Sequence, residues 1–143
     1  LYEKTELFAC NLEEAQIITG KSTDEVTELI RHLHKLGPKI VVVTDGPNGS
    51  YASDGSIIYS MRNYPDPKKP FDRTGCGDAY TSTFVAALAS GEDIQTALMW
   101  APINPMSVAQ QLGAQAGLLS KHQLSNLLKH APHDYKPKEI AKV

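Results

Sequence analysis

An unbroken β-branched segment, Lys39-Ile40-Val41-Val42-Val43-Thr44, constrains the fold more than any other part of this chain. β-branched residues favour strands, and an apolar run without alternation indicates a strand that is buried on both faces. Such a strand needs helices on either side of its sheet, which is the arrangement of a layered α/β protein. The segment therefore predicts a central strand in a largely parallel, helix-covered sheet.

Helical and strand patterns alternate around this segment. A short apolar run at Glu6–Cys10 predicts a second strand, and Asp54-Gly55 predicts the turn of a β-hairpin. Apolar spacing predicts helices over Leu12–Thr19, from a cap at Ser22 and Thr23 through Leu36, over Asp78–Ser90, from Ile94 to about Gln111, and over Lys121–Lys129. The residues from about 130 to 143, which include two prolines and several lysines, are predicted to form a frayed tail.

The run Asp72-Arg73-Thr74-Gly75-Cys76-Gly77-Asp78 has the composition of a phosphoryl-transfer site. Its glycines allow successive backbone N–H groups to point toward one place, and the helix that follows favours an anion at its N-terminus. Asp78 stands at the junction, where it can accept a proton beside that anion or simply cap the helix. A carboxylate beside an anion hole is the arrangement needed to activate a hydroxyl and stabilise a migrating phosphoryl group.

The bulk composition excludes several classes of function. The chain has 143 residues, of which 41% are hydrophobic and 21% charged, with a net charge of -2. This balance does not favour nucleic-acid or membrane binding, because both usually require a basic excess or a long apolar run. Cys10 and Cys76 are too few for a disulfide framework, which favours a reducing, cytoplasmic setting.

Further motifs accompany the glycine loop in a fixed order. They are Asn11-Leu12-Glu13-Glu14 after a strand, Thr44-Asp45-Gly46-Pro47-Asn48-Gly49 after the valine-rich strand, the loop Asp72–Asp78, and Asn104 followed by Ser107-Val108 and Gly113-Ala114. In this order the chain resembles the ribokinase-like (PfkB) carbohydrate and nucleoside kinases from about Glu6 to Leu128. The resemblance implies a Rossmann-like, layered αβα ribokinase-type fold.

The matched motifs all belong to the C-terminal half of that family. The resemblance therefore implies that residues 1–143 form the ATP-binding and catalytic half of a single kinase domain, and the start at Leu1 rather than Met agrees with this interpretation. The N-terminal half, which carries the lid and most of the substrate pocket, would lie outside this chain. It would be the partner of these residues, and pairing of two copies is left open.

The resemblance assigns the chemistry to the glycine loop. Asp78 would be the general base that takes the proton from the acceptor hydroxyl, and Gly75, Cys76 and Gly77 would form the anion hole. Cys76 stands where the family usually has alanine. A helix N-terminus could lower the pKa of its thiol and make it reactive, or the thiol could be a passive small side chain.

The resemblance also implies metal ions near the phosphates. Glu14 would organise Mg²⁺ through its water shell, which suits an ion that keeps several waters. Asp72 and Thr74 occupy a loop where many relatives hold a monovalent cation, so potassium is a further candidate. A surface helix start remains the alternative for Glu14.

The nucleotide would contact three further segments. The resemblance places Asn11 near the phosphates and the turn with Thr44, Gly46 and Gly49 at the phosphate and ribose edge, where glycines permit close backbone approach. Asn104 would lie near the adenine or ribose, although prolines on either side depart from the alanine-rich helix typical there. The alternatives are a helix cap at Asn11 and a plain strand-to-hairpin turn at Thr44.

The function predicted from these residues is ATP-dependent transfer of the γ-phosphate to a hydroxymethyl group of a sugar or nucleoside. Two rivals remain: a nucleotide-binding fragment without catalysis, and a half that is active only with a separate partner. The residues that select the acceptor would lie mostly in the absent half.

Overall fold

The computed structural model describes residues 2–143, and Leu1 lies outside the described residues. The chain divides into two units: one extends to Met61 and includes Lys138–Val143, and the other is Arg62–Pro137. The first unit contains a sheet with two helices and the second is helical. Together they form the mixed α/β structure that the sequence predicts.

The sheet of the first unit has five strands in the order β1-β2-β3-β4-β5. Their bounds are Leu7–Asn11, Ile40–Thr44, Ser50–Ser53, Ile57–Met61 and Lys138–Lys142. Short 3₁₀ helices lie at Tyr2–Lys4 and Gly46–Asn48. The predicted central strand is confirmed, since Val41, Val42 and Val43 of β2 are all buried.

Two helices connect β1 to β2 and cover the sheet, α1 (Leu12–Thr19) and α2 (Val26–Leu36). Leu29, Ile30 and Leu33 of α2 are fully buried and form the predicted apolar stripe. The prediction that Ser22 and Thr23 cap this helix is wrong. The Thr23 hydroxyl accepts the N–H of Glu25 in a local turn instead, and α2 begins three residues after Thr23 without a side-chain cap.

The prediction of a largely parallel sheet is also wrong. Only β1 and β2 pair in parallel, whereas β2–β3, β3–β4 and β4–β5 are antiparallel. Parallel neighbours need a long crossover, which α1 and α2 supply between β1 and β2. The connections after β2 and β3 are too short for a crossover, so they join antiparallel strands. The second is the predicted Asp54-Gly55 turn.

The end of the chain does not fray as predicted, because Lys138–Lys142 form β5 against β4. The guanidinium of Arg31 donates two hydrogen bonds, of 3.1 and 2.7 Å, to the carbonyl of Lys142. Ala141 packs against the apolar core, and the neighbouring Ile140 is exposed. The sequence signal was weak because a charged edge strand has little apolar pattern of its own.

A pair of substitutions in β5 tests whether the end of the chain is an ordered strand. Ala141→Asp places a charge against the core and is expected to lower the free energy of unfolding of the intact protein by about 1–3 kcal/mol. Ile140→Asp lies on the exposed side of the same strand and is the matched control, with little expected effect. Urea denaturation measures the free energy of unfolding of both variants. If neither substitution lowers it, the tail is frayed after all.

The second unit consists of four helices, whose bounds are Cys76–Ala89 for α3, Ile94–Trp100 for α4, Ile103–Val108 for α5 and Lys121–Lys129 for α6. α3 packs against α4 and α5, and α6 contacts both of these. The single helix predicted from Ile94 to about Gln111 is wrong, since Pro102 divides it into α4 and α5. Proline has no N–H to continue the helical hydrogen bonds. Trp100, at the end of α4, is buried.

Candidate functional site

The glycine loop of the second unit leads directly into α3. Gly75 is the N-cap residue with φ of +81°, so Cys76, Gly77 and Asp78 form the first turn. The N–H of Cys76 donates to the carbonyl of Arg73 at 3.2 Å. Among residues 2–143, no acceptor is found for the N–H groups of Gly77 and Asp78. These two amides, with the helix dipole, can therefore receive an anion.

The carboxylate of Asp78 does not cap this helix. α3 has no side-chain cap, and Asp78 lies in its first turn as an exposed residue. By contrast, Asp93 of α4 accepts the N–H of Thr96 at 2.7 Å, and both α1 and α6 begin with a capping box. The structural alternative raised for Asp78 is thus not realised, and its exposed side chain belongs to the same first turn as the two open amides.

The start of α3 is held by a close contact with Ala114, a residue of the Gly113-Ala114 motif whose packing on Gly75 was not predicted. A Cβ on Gly75 would lie 2.6 to 2.7 Å from the Cβ, Cα and carbonyl oxygen of Ala114. The N–H groups of Phe71 and Asp72 donate to the carbonyl of Ala109, at 2.7 and 3.2 Å. The segment after α5 therefore supports the glycine loop. Close contacts between residues so distant in sequence leave no local pattern to detect.

Asp72 and Thr74, the candidates for a monovalent cation, form a local turn. Oδ1 of Asp72 accepts the N–H of Thr74 at 2.9 Å. The backbone N–H and then the hydroxyl of Thr74 lower the pKa of this carboxyl, because both stabilise its charged form. Asp72 therefore stays a carboxylate in mildly acidic solution. Its role as a cation ligand stays a prediction.

The thiol of Cys76 does not have the low pKa suggested for a reactive cysteine. Burial raises its pKa, and the nearby charge of Arg73 offsets only part of this effect. The sulfur lies 3.6 Å from the carbonyl oxygen of Pro105, to which the thiol donates. The hypothesis of a thiol activated by the helix N-terminus is wrong in direction, and the side chain packs as a small group.

In the first unit, Asn11 and Glu14 bind each other across the start of α1. Oδ1 of Asn11 accepts the N–H of Glu14 at 2.8 Å, and Oε2 of Glu14 accepts the N–H of Asn11 at 2.9 Å. This reciprocal capping box fixes both side chains at the carboxyl end of β1. Both residues are exposed, so the cap leaves the Glu14 carboxylate accessible to solvent.

The Thr44 turn lies at the same edge of the sheet. Asn11 and Thr44 are register partners at the carboxyl ends of the two parallel strands, which is where open α/β sheets usually bind ligands. Gly46 has φ of +47° with open space around its Cβ position, and Gly49 has φ of +100°. The two glycines are therefore required by the turn itself, and Gly46 leaves room for close approach.

Asn104 is buried in the second unit, with only 7% of its surface exposed. Its Nδ2 donates to the hydroxyl of Thr83 at 2.7 Å, and its Oδ1 accepts the N–H of Leu119 at 2.8 Å. The amide is therefore engaged on both sides by protein groups. Its predicted contact with adenine or ribose stays a prediction. Sequence reasoning did not find the role of Thr83, since a threonine inside a helix carries no signal of a distant partner.

The structure thus brings the predicted residues together in two groups. Asn11, Glu14 and the Thr44 turn share one sheet edge, and the Asp72–Asp78 loop lies at the start of α3. Within residues 2–143, no three His, Cys, Asp and Glu side chains converge to hold a metal ion. The helices of this part of the chain include none that is both long and apolar enough to cross a bilayer.

Comparison with known proteins finds kinases. Residues 1–121 match the pfkB family of carbohydrate kinases. A ribokinase of Bacillus subtilis is 33% identical over 93 residues, 65% of this chain and 31% of that protein. A 5-dehydro-2-deoxygluconokinase of Bacillus licheniformis is 26% identical and covers 88% of this chain and 38% of its own length. A cytidine kinase of Thermococcus kodakarensis is 33% identical, and the match covers 66% of this chain and 34% of that protein.

Solved structures confirm the fold. A ribokinase from Arabidopsis thaliana, solved with ribose and ATP, superposes with a TM-score of 0.82 at 27% identity, covering 90% of this chain and 42% of that protein. A structure described as a putative ribokinase II from E. coli, with ATP and Mg²⁺, gives a TM-score of 0.80 at 22% identity. The chain therefore has the ribokinase-type fold.

The matches cover only part of each relative. The chain spans about a third of the length of the curated relatives and about two fifths of the solved ones. The family match, in contrast, takes in most of this chain, and it includes the Asn11, Thr44, Asp78 and Asn104 motifs. The chain belongs to the pfkB family of carbohydrate kinases.

Proposed function

We propose that this chain is the ATP-binding and catalytic part of a kinase that transfers the γ-phosphate of ATP to a hydroxymethyl group of a sugar or nucleoside. The observation that carries the proposal is the uncapped start of α3, whose first turn contains both the exposed Asp78 and two amides without an acceptor in the described residues. The names of the relatives support the class of acceptor, because they include kinases of sugars and of a nucleoside.

In this proposal the start of α3 is the anion hole. The N–H groups of Gly77 and Asp78 bind the charge that develops on the transferred phosphoryl group, and the helix dipole adds to their effect. Of the other residues that the resemblance assigns to the anion hole, Cys76 already donates its N–H to the carbonyl of Arg73, whereas the N–H of Gly75 has no acceptor among the described residues and stays in the proposed anion hole. Phosphoryl transfer depends mainly on positioning and charge stabilisation, both of which a rigid helix terminus provides.

Asp78 is the general base of the proposed reaction. Its carboxylate accepts the proton of the acceptor hydroxyl while the hydroxyl oxygen forms its bond to the γ-phosphorus and the bond to ADP breaks. A capping carboxylate would be less available, because the helix amides would already bind it. The absence of such a cap on α3 therefore favours the catalytic role.

The first unit would serve the nucleotide and its metal. Glu14 is held by the capping box with its carboxylate accessible to solvent, which suits Mg²⁺ bound through water and phosphate oxygens. Asn11 and the glycine turn after Thr44 would bind phosphate and ribose. Asp72 and Thr74 are the residues we propose for a monovalent cation. When bound, Mg²⁺ would neutralise phosphate charge.

The remaining part of the kinase, the proposed N-terminal half, would extend the sheet at β1. β1 is an outer strand with apolar, partly exposed Leu7, Phe8 and Ala9, and it carries no charged residue. The other outer strand, β5, is protected by Lys138, Glu139 and Lys142. Natural proteins place such charges on edges that must stay unpaired. The unprotected edge is therefore the one expected to receive a further strand.

The second candidate function is a nucleotide-binding fragment without catalysis of its own. It is favoured by one observation, that the chain covers only about a third of the length of its curated relatives. This candidate predicts that the 143-residue chain binds ATP but does not release ADP when an acceptor is added. A half that works only with a separate polypeptide predicts activity once that polypeptide is supplied.

A coupled assay of ADP release tests both candidates. The full-length kinase and the 143-residue chain are each incubated with ATP, Mg²⁺ and a panel of sugars and nucleosides. We expect acceptor-dependent ADP release from the full-length protein and little from the chain alone. Failure of every sugar and nucleoside to increase ADP release by the full-length protein would contradict the proposed activity.

A further inference from the structure

A continuous line of hydrogen bonds crosses the interior of the second unit. The N–H of Leu119 donates to Oδ1 of Asn104, Nδ2 of Asn104 donates to Oγ1 of Thr83, and that hydroxyl donates to the carbonyl of Ala79. The three distances are 2.8, 2.7 and 2.7 Å. Asn104 and Thr83 are both buried, with 7% and 6% of their surfaces exposed. Each of the three bonds has an N–H or O–H donor and an oxygen acceptor less than 3 Å apart.

The two ends of this line lie at informative places. Ala79 directly follows Asp78 in the first turn of α3. Leu119 lies at the end of the segment from Ala109 to Leu119, which connects α5 to α6. We call this segment the bracing loop. The hydrogen bonds thus join the helix that carries the proposed base to a loop that has no regular secondary structure of its own.

The bracing loop also touches the start of α3. Ala114 occupies the space where a Cβ of Gly75 would lie, and the carbonyl of Ala109 accepts the N–H groups of Phe71 and Asp72. The hydroxyl of Ser107 donates to the carbonyl of Gly117 at 2.7 Å, which fixes the far end of the loop on α5. The loop is therefore anchored on α5 while it supports the glycine loop.

We propose that Thr83 and Asn104 are positioning residues, which hold the bracing loop against the glycine loop and so fix the direction of the Gly77 and Asp78 amides. This inference rests on the proposed function. Asn104 acts through Thr83 and Leu119 rather than by touching the nucleotide. A buried amide that loses one partner must rearrange or remain unsatisfied, so each bond of this line restricts the geometry of both loops.

Thr83→Val in the full-length kinase tests the proposal. Valine has nearly the shape of threonine but cannot accept from Asn104 or donate to Ala79. We expect kcat to fall roughly 10- to 100-fold, since small misplacements of reacting groups cost about this much, while calorimetry shows little change in the Kd for ATP. In hydrogen exchange, the amides of residues 71–79 and 109–119 should exchange faster than in the native enzyme.

Two further variants show whether the effect comes from the bond to Asn104 or from the loss of any hydroxyl in this part of α3. Ser82→Ala is the matched control, because the Ser82 hydroxyl also donates to the carbonyl of Ala79, at 3.2 Å, but does not contact Asn104. It should retain the kcat and the exchange pattern. Thr83→Ser keeps the hydroxyl that Asn104 requires and should recover most of both.

The outcomes distinguish this inference from the proposed function. Native kcat and native exchange in a folded Thr83→Val enzyme would overturn the positioning role, as would a lower Tm with an unchanged kcat. If Thr83→Val does not fold, the same measurements are made on Thr83→Ala. If neither Thr83→Val nor Thr83→Ala folds while Thr83→Ser does, the hydrogen bond between Thr83 and Asn104 serves stability alone, and the positioning role is overturned. Hydrogen exchange shows whether Thr83 holds the bracing loop against the glycine loop, and this result stands even if Asp78→Asn shows that the proposed chemistry is wrong.

Discussion

Asp78→Asn in the full-length kinase is expected to lower kcat by roughly 10²- to 10⁴-fold, the usual contribution of a general base. Asparagine preserves the shape of the side chain but cannot take the proton of the acceptor hydroxyl. Because the carboxylate neither caps α3 nor packs inside the protein, the change should leave the fold intact. The Kd for ATP, measured by calorimetry, should change little.

Asp93→Asn provides the control for this result. Asp93 also lies at a helix start, but its carboxylate caps α4 through the N–H of Thr96. Asparagine is nearly as good a cap, so this variant should keep both its stability and its kcat. ADP production by Asp78→Asn at the native rate would remove Asp78 from the catalytic role and, with it, the main support for the proposed mechanism.

The second large effect is expected from Gly75→Ala. Gly75 has φ of +81°, a conformation that costs a residue with a Cβ about 1–2 kcal/mol. The new Cβ would also meet the backbone of Ala114 at 2.7 Å, and overpacking of this kind adds about 1–3 kcal/mol. The free energy of unfolding should therefore fall by the sum of the two effects, and kcat should fall because the anion hole is displaced.

Gly91→Ala isolates the conformational part of this loss. Gly91 has φ of +87°, close to that of Gly75, but no atom lies within 4 Å of its Cβ position. Urea denaturation should show a loss of only about 1–2 kcal/mol for this variant. Equal destabilisation by the two substitutions would mean that the contact between Gly75 and Ala114 is not tight, and the bracing role of this loop would lose its support.

Local signals in the sequence predicted much of this structure. The β-branched run at Ile40–Thr44 is a buried strand because apolar side chains on both faces need covering. The glycine loop precedes a helix, and Leu12–Thr19 and Lys121–Lys129 have the predicted bounds. In each case the decisive interactions lie within a few residues, as in the capping box of Asn11 and Glu14.

Interactions between distant residues explain why the sequence did not predict β5 or the partners of Asn104. β5 is a strand because it pairs with β4, almost eighty residues earlier in the chain, and its own sequence has a weak pattern. The break between α4 and α5 has a local cause in Pro102. The buried hydrogen bond of Asn104, in contrast, joins it to a residue that is distant in sequence. Ala114 contacts Gly75 through its backbone and its small Cβ, so its residue type alone does not identify this contact.

The proposed reaction moves the γ-phosphoryl group of ATP to the acceptor, and a label on that group follows it directly. The full-length kinase is incubated with ATP carrying a γ-³²P label and with the acceptor that most increases ADP release. We expect the label to leave ATP only when the acceptor is present, and to appear on the acceptor in amounts equal to the ADP formed. Release of the label as inorganic phosphate, at a rate that does not depend on the acceptor, would contradict the proposed reaction.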